Sequence, residues 1–279
     1  MNDLTFPPTL ASSAVEVERW KNGDWTCSTD VVADEVPVSL EYNGISHVVM
    51  LASPTDLEDF ALGFSLTEGI IGQPEDLFET EIETLPEGIQ VSMRICGERM
   101  AGLKARRRNL AGRTGCGLCG TDSLKQVFRS VPPVRSAFTL SSAALQAALE
   151  EMRSRQYLQA LTGATHAAAW VTGEGSISCL REDVGRHNAL DKLIGALARS
   201  RTDFNSGAAI ITSRASYEMV HKAASVGIGV VAAVSAPTAL AIRVASELEV
   251  TLAGFARPGN HVVYTHPQRL RKETKKGME

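Results

Sequence analysis

Two cysteines, Cys116 and Cys119, stand two residues apart in "RTGCGLCGTDSL", among Gly112, Gly115, Gly117 and Gly120 and just after the basic run "KARRR". This spacing suits half of a zinc site, a redox dithiol, or a thiolate that carries a transferable group. A closed zinc site takes four ligands, usually from a second cysteine pair or from histidines. Here the nearest other cysteine, Cys96, belongs to no second pair and no H-x-x-x-H element is present. No structural metal is therefore expected. A thioredoxin-like dithiol heads a helix within a βαβ unit, whereas the density of glycine around the two cysteines predicts a mobile loop with close backbone approach. The carrier chemistry fits the neighbourhood better. Arg106, Arg107, Arg108 and Arg113 would stabilise a Cys116 thiolate. A thiolate of this kind attacks an activated sulfur and holds it as a persulfide, and Cys119 would release that sulfur by exchange. The same arginine run also reads as a solvated helix face. Cys27, Cys96 and Cys179 read as small packing residues.

A second group of residues falls at the ends of apolar segments. "GAAIITS", "GVVAAVSA" and "TLAGFA" read as strands separated by helices, a rhythm that implies parallel strands with right-handed crossovers. Ligands of such sheets collect beyond the carboxyl ends of the strands. Those ends carry "TSRAS" (Ser213, Arg214, Ser216), "VSAPT" (Ser235, Pro237, Thr238) and "GFARPGN" (Arg257, Gly259, Asn260). Each residue alone reads as a cap or turn, but their convergence beside helix N-termini suits phosphate or another polyanion. The junction "REDVGRHNALDK" adds Asp183, Arg186, His187 and Asn188, either as a site or as helix-capping and structural groups. His166 in "TGATHAAAW" is a weaker candidate, and no Ser-His-Asp arrangement, Walker loop or dinucleotide fingerprint appears.

The elements that must position these groups divide the chain in two. Residues 1–14 read as a flexible leader. Residues 15–110 read as an α+β domain: a hairpin about Asn43-Gly44, a helix opened by a Thr55/Glu58 capping box, and a second hairpin turning at Pro86 to Gly88. Residues 111–135 form the cysteine loop and a linker, and 136–279 an α/β domain that opens with the helix "SSAALQAALEEMRSRQYL". The chain has 279 residues, 44% hydrophobic and 22% charged, with a net charge of −4, which gives no reason to expect nucleic-acid binding. Its longest apolar run is broken by Pro237, so no membrane span is expected. The opening residues lack the basic and apolar regions of a secretory signal, and five cysteines at irregular spacing argue against a disulfide framework. A cytoplasmic setting is expected, where thiols stay reduced.

"GCGLCG", "HAAAW", "EDVGRHNALDKLIG", "SRASYEMVHKAA", "VSAPTALA" and "GFARPG", in this order, resemble the formate dehydrogenase accessory sulfurtransferase (FdhD) family over nearly the whole chain. The resemblance implies a sulfur carrier that takes persulfide sulfur from a cysteine desulfurase and passes it to the Mo-bis(molybdopterin guanine dinucleotide) cofactor destined for the formate dehydrogenase catalytic subunit. By this resemblance Cys116 bears the persulfide and Cys119 is its loop partner. Phe255, Ala256, Arg257, Pro258, Gly259 and Asn260 bind the guanine nucleotide end, near the sheet-edge residues Arg214 and Ser235. It also implies a homodimer and a cytidine-deaminase-like three-layer α/β fold with a mostly parallel sheet. The zinc signature of deaminases is not met: "THAAAW" offers no glutamate, and no proline precedes Cys116. The alternative role is a cofactor-binding chaperone that moves no sulfur.

Overall fold

The computed structural model describes residues 11–108 and 129–271, without the side chains of 104–108. Its first element is an antiparallel ribbon, β1 (Ser12–Lys21) and β2 (Asp24–Ala33), so residues 12–14 of the expected leader are paired strand. β3 (Val36–Tyr42) and β4 (Ile45–Ala52) then form the expected hairpin. Asn43 and Gly44 at its turn have φ of 47° and 76°, the left-handed pair that a two-residue hairpin turn needs. α1 (Leu57–Thr67) precedes the second hairpin, β5 (Leu77–Leu85) and β6 (Gly88–Ile95). β6 lies parallel to β3, which gives a four-stranded sheet in the order β4-β3-β6-β5. Val38, Leu40 and Tyr42 alternate on its buried face, and the Tyr42 hydroxyl lies 2.7 Å from that of Ser65 on α1.

α2 (Gly97–Arg108) closes this part. The second part begins with β7 (Leu140–Ser141), α3 (Ser142–Arg155) and α4 (Tyr157–Thr162). β8 (His166–Val171), β9 (Ile177–Asp183), α5 (Arg186–Arg199), β10 (Ala208–Ile211), α6 (Tyr217–Ser225), β11 (Val230–Ala233), α7 (Ala239–Glu247), β12 (Thr251–Arg257), β13 (Asn260–Thr265) and β14 (Leu270–Arg271) follow. The expected parallel run is present as β10, β11 and β12. It forms the middle of a six-stranded mixed sheet, β13-β12-β11-β10-β8-β9, whose outer strands pair antiparallel. Alternate residues face opposite layers. Ala167, Ala169, Ile210 and Ala232 pack on Leu145, Ala148 and Met152 of α3. Ala168, Trp170, Ile211 and Val231 join a core with α5, α6 and α7 that also takes in Leu40, Tyr42 and Phe60. The protein is a mixed α/β structure in which one core runs beneath both sheets.

Two of the contacts that join the halves exclude water. Gly63 on α1 and Gly195 on α5 face each other's helix so closely that a Cβ on Gly63 would overlap the Asp191 carbonyl, and one on Gly195 that of Asp59. The other contact is polar and fully buried. Lys192 Nζ lies 2.6 Å from Asp183 Oδ2 and 3.0 Å from the Ser53 carbonyl, and neither charged side chain has any exposure (0%/0%). Asp183 also accepts hydrogen bonds from the backbone N–H of Ser53 at 3.0 Å and of Gly185 at 2.7 Å. Asn188 donates to Asp183 and to the Leu51 carbonyl, each at 2.9 Å. Every lobe of this carboxylate is thus bonded, the condition under which a buried charge is tolerated.

The Thr55/Glu58 capping box does not form. α1 starts at Leu57 after Asp56, which has φ 52° and makes no side-chain cap. Glu58 instead lies 2.7 Å from Arg199, and Asp59 pairs with Arg181 at 2.7 Å and Arg199 at 3.0 Å. The ion pair to Arg199 on α5 takes the Glu58 side chain that a local cap would need. Lys192→Ala, which leaves Asp183 buried without its cation, should lower stability to urea by ~3–5 kcal/mol. Arg94→Ala, whose pairing with Glu79 is half exposed, should change it by less than about 1 kcal/mol. Equal midpoints for Lys192→Ala and wild type would show that the buried pair does not hold the halves together.

Candidate functional site

The carboxyl ends of the parallel strands converge as expected. Past β10 and β11 the chains stay in register: Val234 N–H donates to the Ile211 carbonyl at 2.9 Å, and Thr238 N–H to the Ala215 carbonyl at 3.0 Å. Phe255 N–H reaches the Ser235 carbonyl at 3.1 Å, and Phe255 itself has φ 49° where the β12–β13 register shifts. Pro258 and Gly259 form the two-residue turn between Arg257 and Asn260, with Gly259 at φ 80°. α3 holds this tip, because Gln146 Oε1 accepts the Gly259 N–H at 2.6 Å and its amide nitrogen lies 3.5 Å from the Asn260 carbonyl.

A cavity of about 610 Å³ opens on the α3 side of this edge, within the size range of small-molecule sites. Leu149, Met152, Val234, Ala256 and Pro258 form its apolar wall, and Arg153, Gln156, Gln159, Thr165, His166, Thr212 and Arg257 its polar part. No carboxylate among the described residues lines it. Among the described residues Arg257 spends only Nε, on the Val234 carbonyl at 3.3 Å, and Arg153 makes no ion pair. Glu182 lies behind the wall with its oxygens committed: it accepts the N–H groups of Leu158 and Gln159 and the hydroxyl of Thr165. Burial, reinforced by the nearby Arg186 cation, holds the His166 imidazole below its usual pKa. The cavity therefore presents two guanidinium groups and a neutral imidazole, a set that favours an anion with an apolar part.

A second polar cluster joins the N-terminal turns of α5 and α6. His187 Nε2 lies 2.8 Å from Glu218 Oε2, with Arg186 at 4.0 Å and the Ser216 hydroxyl at 3.4 Å from the same oxygen. The bond from His187 holds the Glu218 carboxyl below its usual pKa, so the N-terminal turn of α6 already carries a carboxylate.

The FdhD/NarQ family model matches residues 33–271. The chain belongs to the FdhD/NarQ family. It is 60% identical over 267 residues, 96% of this chain and 92% of the relative, to a protein of Cupriavidus necator named sulfur carrier protein FdhD. A Bordetella petrii protein of the same name is 57% identical over 243 residues, 87% of each chain. A solved structure from Desulfotalea psychrophila, described as a formate dehydrogenase accessory protein, superposes with a TM-score of 0.73 at 24% identity. It covers 94% of this chain and 100% of its own, and it speaks to the fold.

In this FdhD/NarQ member the expected site residues divide. Ala256, Arg257 and Pro258 line the cavity, while Phe255, Gly259 and Asn260 complete the hairpin that carries them. Arg214 and Ser235 sit on the neighbouring loops of the same edge without lining it. Cys116 and Cys119 lie outside the described residues. Asp183 and Asn188 belong to the buried joint, whereas Arg186 and His187 stay partly accessible. Cys179 packs against the core as expected, and burial pushes its thiol pKa up, whereas Cys27 on β2 is exposed, contrary to its reading as a packing residue. Arg153, Gln156, Gln159 and Thr165 carry no sequence signature. They reach the cavity because β8 runs antiparallel to β10 and starts at the edge where β10 ends. The His166 ring should titrate in NMR below an exposed histidine, and Arg186→Ala should raise its midpoint by removing a like charge; an unshifted midpoint in both proteins would contradict the burial described.

Proposed function

We propose that this protein is a sulfur carrier that loads Cys116 from a cysteine desulfurase and delivers the sulfur to the guanine-dinucleotide molybdenum cofactor of formate dehydrogenase. The observation that carries the reading is a cavity that bears Arg153 and Arg257 and, among the described residues, no carboxylate, at the sheet edge formed by "FARPGN". The two diphosphate groups of the cofactor are strongly anionic, and guanidinium forks match them bidentately. The names of relatives up to 60% identical, sulfur carrier protein FdhD, support the sulfur-carrying half of the reading.

In the loading step the Cys116 thiolate attacks the outer sulfur of the desulfurase persulfide. A new S–S bond forms on Cys116, the desulfurase leaves as a thiolate, and no net oxidation occurs. In release the Cys119 thiolate attacks the Cys116 sulfur and displaces hydrosulfide toward the bound cofactor. The resulting Cys116–Cys119 disulfide is reduced by a cellular dithiol before the next cycle. The cofactor is cargo, held by Arg257 and the Pro258–Gly259 turn, and passes on to the formate dehydrogenase catalytic subunit. The acting form is a cytoplasmic homodimer.

Incubation with a cysteine desulfurase and cysteine should add the mass of one sulfur atom to wild type, on the peptide that contains Cys116. Cys116→Ala should take up none there and fail to activate formate dehydrogenase, and Arg257→Ala should load sulfur normally yet fail to activate. Full activation by Cys116→Ala overturns sulfur carriage. If Arg257→Ala alone then fails, the protein is a cofactor-binding chaperone.

A further inference from the structure

We propose that the β1–β2 ribbon is a docking arm for the protein that receives the cargo, and that one of its faces binds an arginine- or lysine-bearing segment of that protein. The inference rests on the reading above, that the cavity holds cargo destined for the formate dehydrogenase catalytic subunit. The chemistry of the ribbon itself carries the rest.

β1 and β2 pair without a break from Ser12↔Ala33 to Lys21↔Asp24, and Asn22 and Gly23, at φ 54° and 102°, close the turn. A two-stranded hairpin alone is marginally stable in water, so an arm of this length needs support. One face supplies it. Val17 and Ser28, cross-strand partners there, are half-buried, the Ser28 hydroxyl is buried, and β2 packs against α4. The charges of this face compensate one another, Arg19 with Asp30 at 3.3 Å and Lys21 opposite Asp24.

The opposite face differs in both respects. Its residues from Ala14 to Trp20 and from Trp25 to Thr29 are all exposed. Trp20 and Trp25 form a cross-strand pair at the tip, 59% and 68% exposed. Tryptophan is enriched among the residues that dominate interface energetics, and two neighbouring indoles left in water mark a contact surface. Beside them stand Glu18 and Glu16, and these two carboxylates are the only charged side chains on this face. Glu16 accepts the Thr29 hydroxyl at 2.9 Å, whereas Glu18 makes no hydrogen bond or ion pair among the described residues. Indole faces attract cations, and a carboxylate pairs with the same groups. An arginine or lysine satisfies both, its stem against the rings and its head beside Glu18. Nucleic acid or an anionic lipid surface would meet like charge.

The position of the arm says which partner it serves. α4, its support, contributes Gln159 to the cavity wall, with Gln156 just before the helix and Gly163 just after it. Tyr157 and Leu161 on α4 add exposed apolar surface. A protein gripped by the ribbon is therefore held beside the cavity, where cargo leaves.

Binding of the full-length protein to purified, cofactor-free formate dehydrogenase catalytic subunit tests the assignment. Wild type should bind, and more weakly as salt rises. The double variant Trp20→Ala/Trp25→Ala should bind about tenfold or more weakly. Glu18→Lys should weaken binding and reduce its dependence on salt. Glu81→Lys, the same charge change on exposed β5, should bind as wild type does. All three variants should take up sulfur from the desulfurase normally, which separates a lost dock from a lost fold. Undiminished binding by both ribbon variants, or equal weakening by Glu81→Lys, overturns the docking assignment and leaves the cavity reading standing. Loss of sulfur uptake in the ribbon variants overturns it in favour of the sulfur donor. A ribbon variant that turns a dimer into a monomer in sedimentation also overturns it, because the face then joins two copies of the chain. No binding of the catalytic subunit by wild type overturns formate dehydrogenase as the recipient, and this assignment with it.

Discussion

The fully buried Asp183–Lys192 pair is the constraint around which both halves of the chain are arranged. A charge taken out of water is tolerated only when its lone pairs and protons are all engaged. The partners here come from three places: Ser53 and Leu51 at the end of β4, Asp183 and Gly185 at the close of β9, and Asn188 and Lys192 on α5. Satisfying one carboxylate fixes the exit of the first sheet against the start of α5. The Gly63–Gly195 contact then sets how near α1 and α5 approach, and the shared apolar core fills the space that remains. An apolar pair of similar volume would fill that space too, but it would not specify the direction in which Ser53 presents its backbone.

This joint also explains where chemistry is placed. It occupies the α5 side of the carboxyl edge with committed polar groups, and His187 with Glu218 occupies the adjoining α6 turn. The α3 side of the same edge carries Arg153 and His166, whose side chains have no hydrogen-bond partner among the described residues, and Arg257, bonded there through Nε alone, around a cavity. The two faces of one sheet edge thus differ: one is filled by groups that hold the fold, the other opens on a cavity.

Much of this was legible in the residues. Asn43-Gly44 announced its hairpin because only a left-handed pair turns so tightly, and the helix–strand rhythm after residue 186 announced three parallel strands. The "FARPGN" hairpin stands at the carboxyl edge of those strands, where the same logic put it. What escaped was everything set by long-range pairing. The Thr55/Glu58 spacing met the rule for a capping box, yet Arg199, far along the chain, claims Glu58. β1 and β2 lie in a stretch of mixed polarity with no clean alternation, and the α3–α4 contribution to the cavity depends on an antiparallel β8 that periodicity does not orient. "REDVGRHNALDK" announced a polar cluster, but composition alone could not separate the buried joint of Asp183, Asn188 and Lys192 from the accessible Arg186 and His187.

A cavity lined by arginines and, among the described residues, by no carboxylate acts before any contact is made. With a net charge of −4, the surface as a whole turns anions away, whereas low-dielectric walls around Arg153 and Arg257 focus a local positive field outward through the opening. At physiological ionic strength that field reaches about 8 Å. An anionic visitor is therefore deflected over most of the protein and drawn inward only within a short range of one opening. Capture becomes a matter of steering and its rate, sensitive to dissolved salt, as well as of the grip that follows.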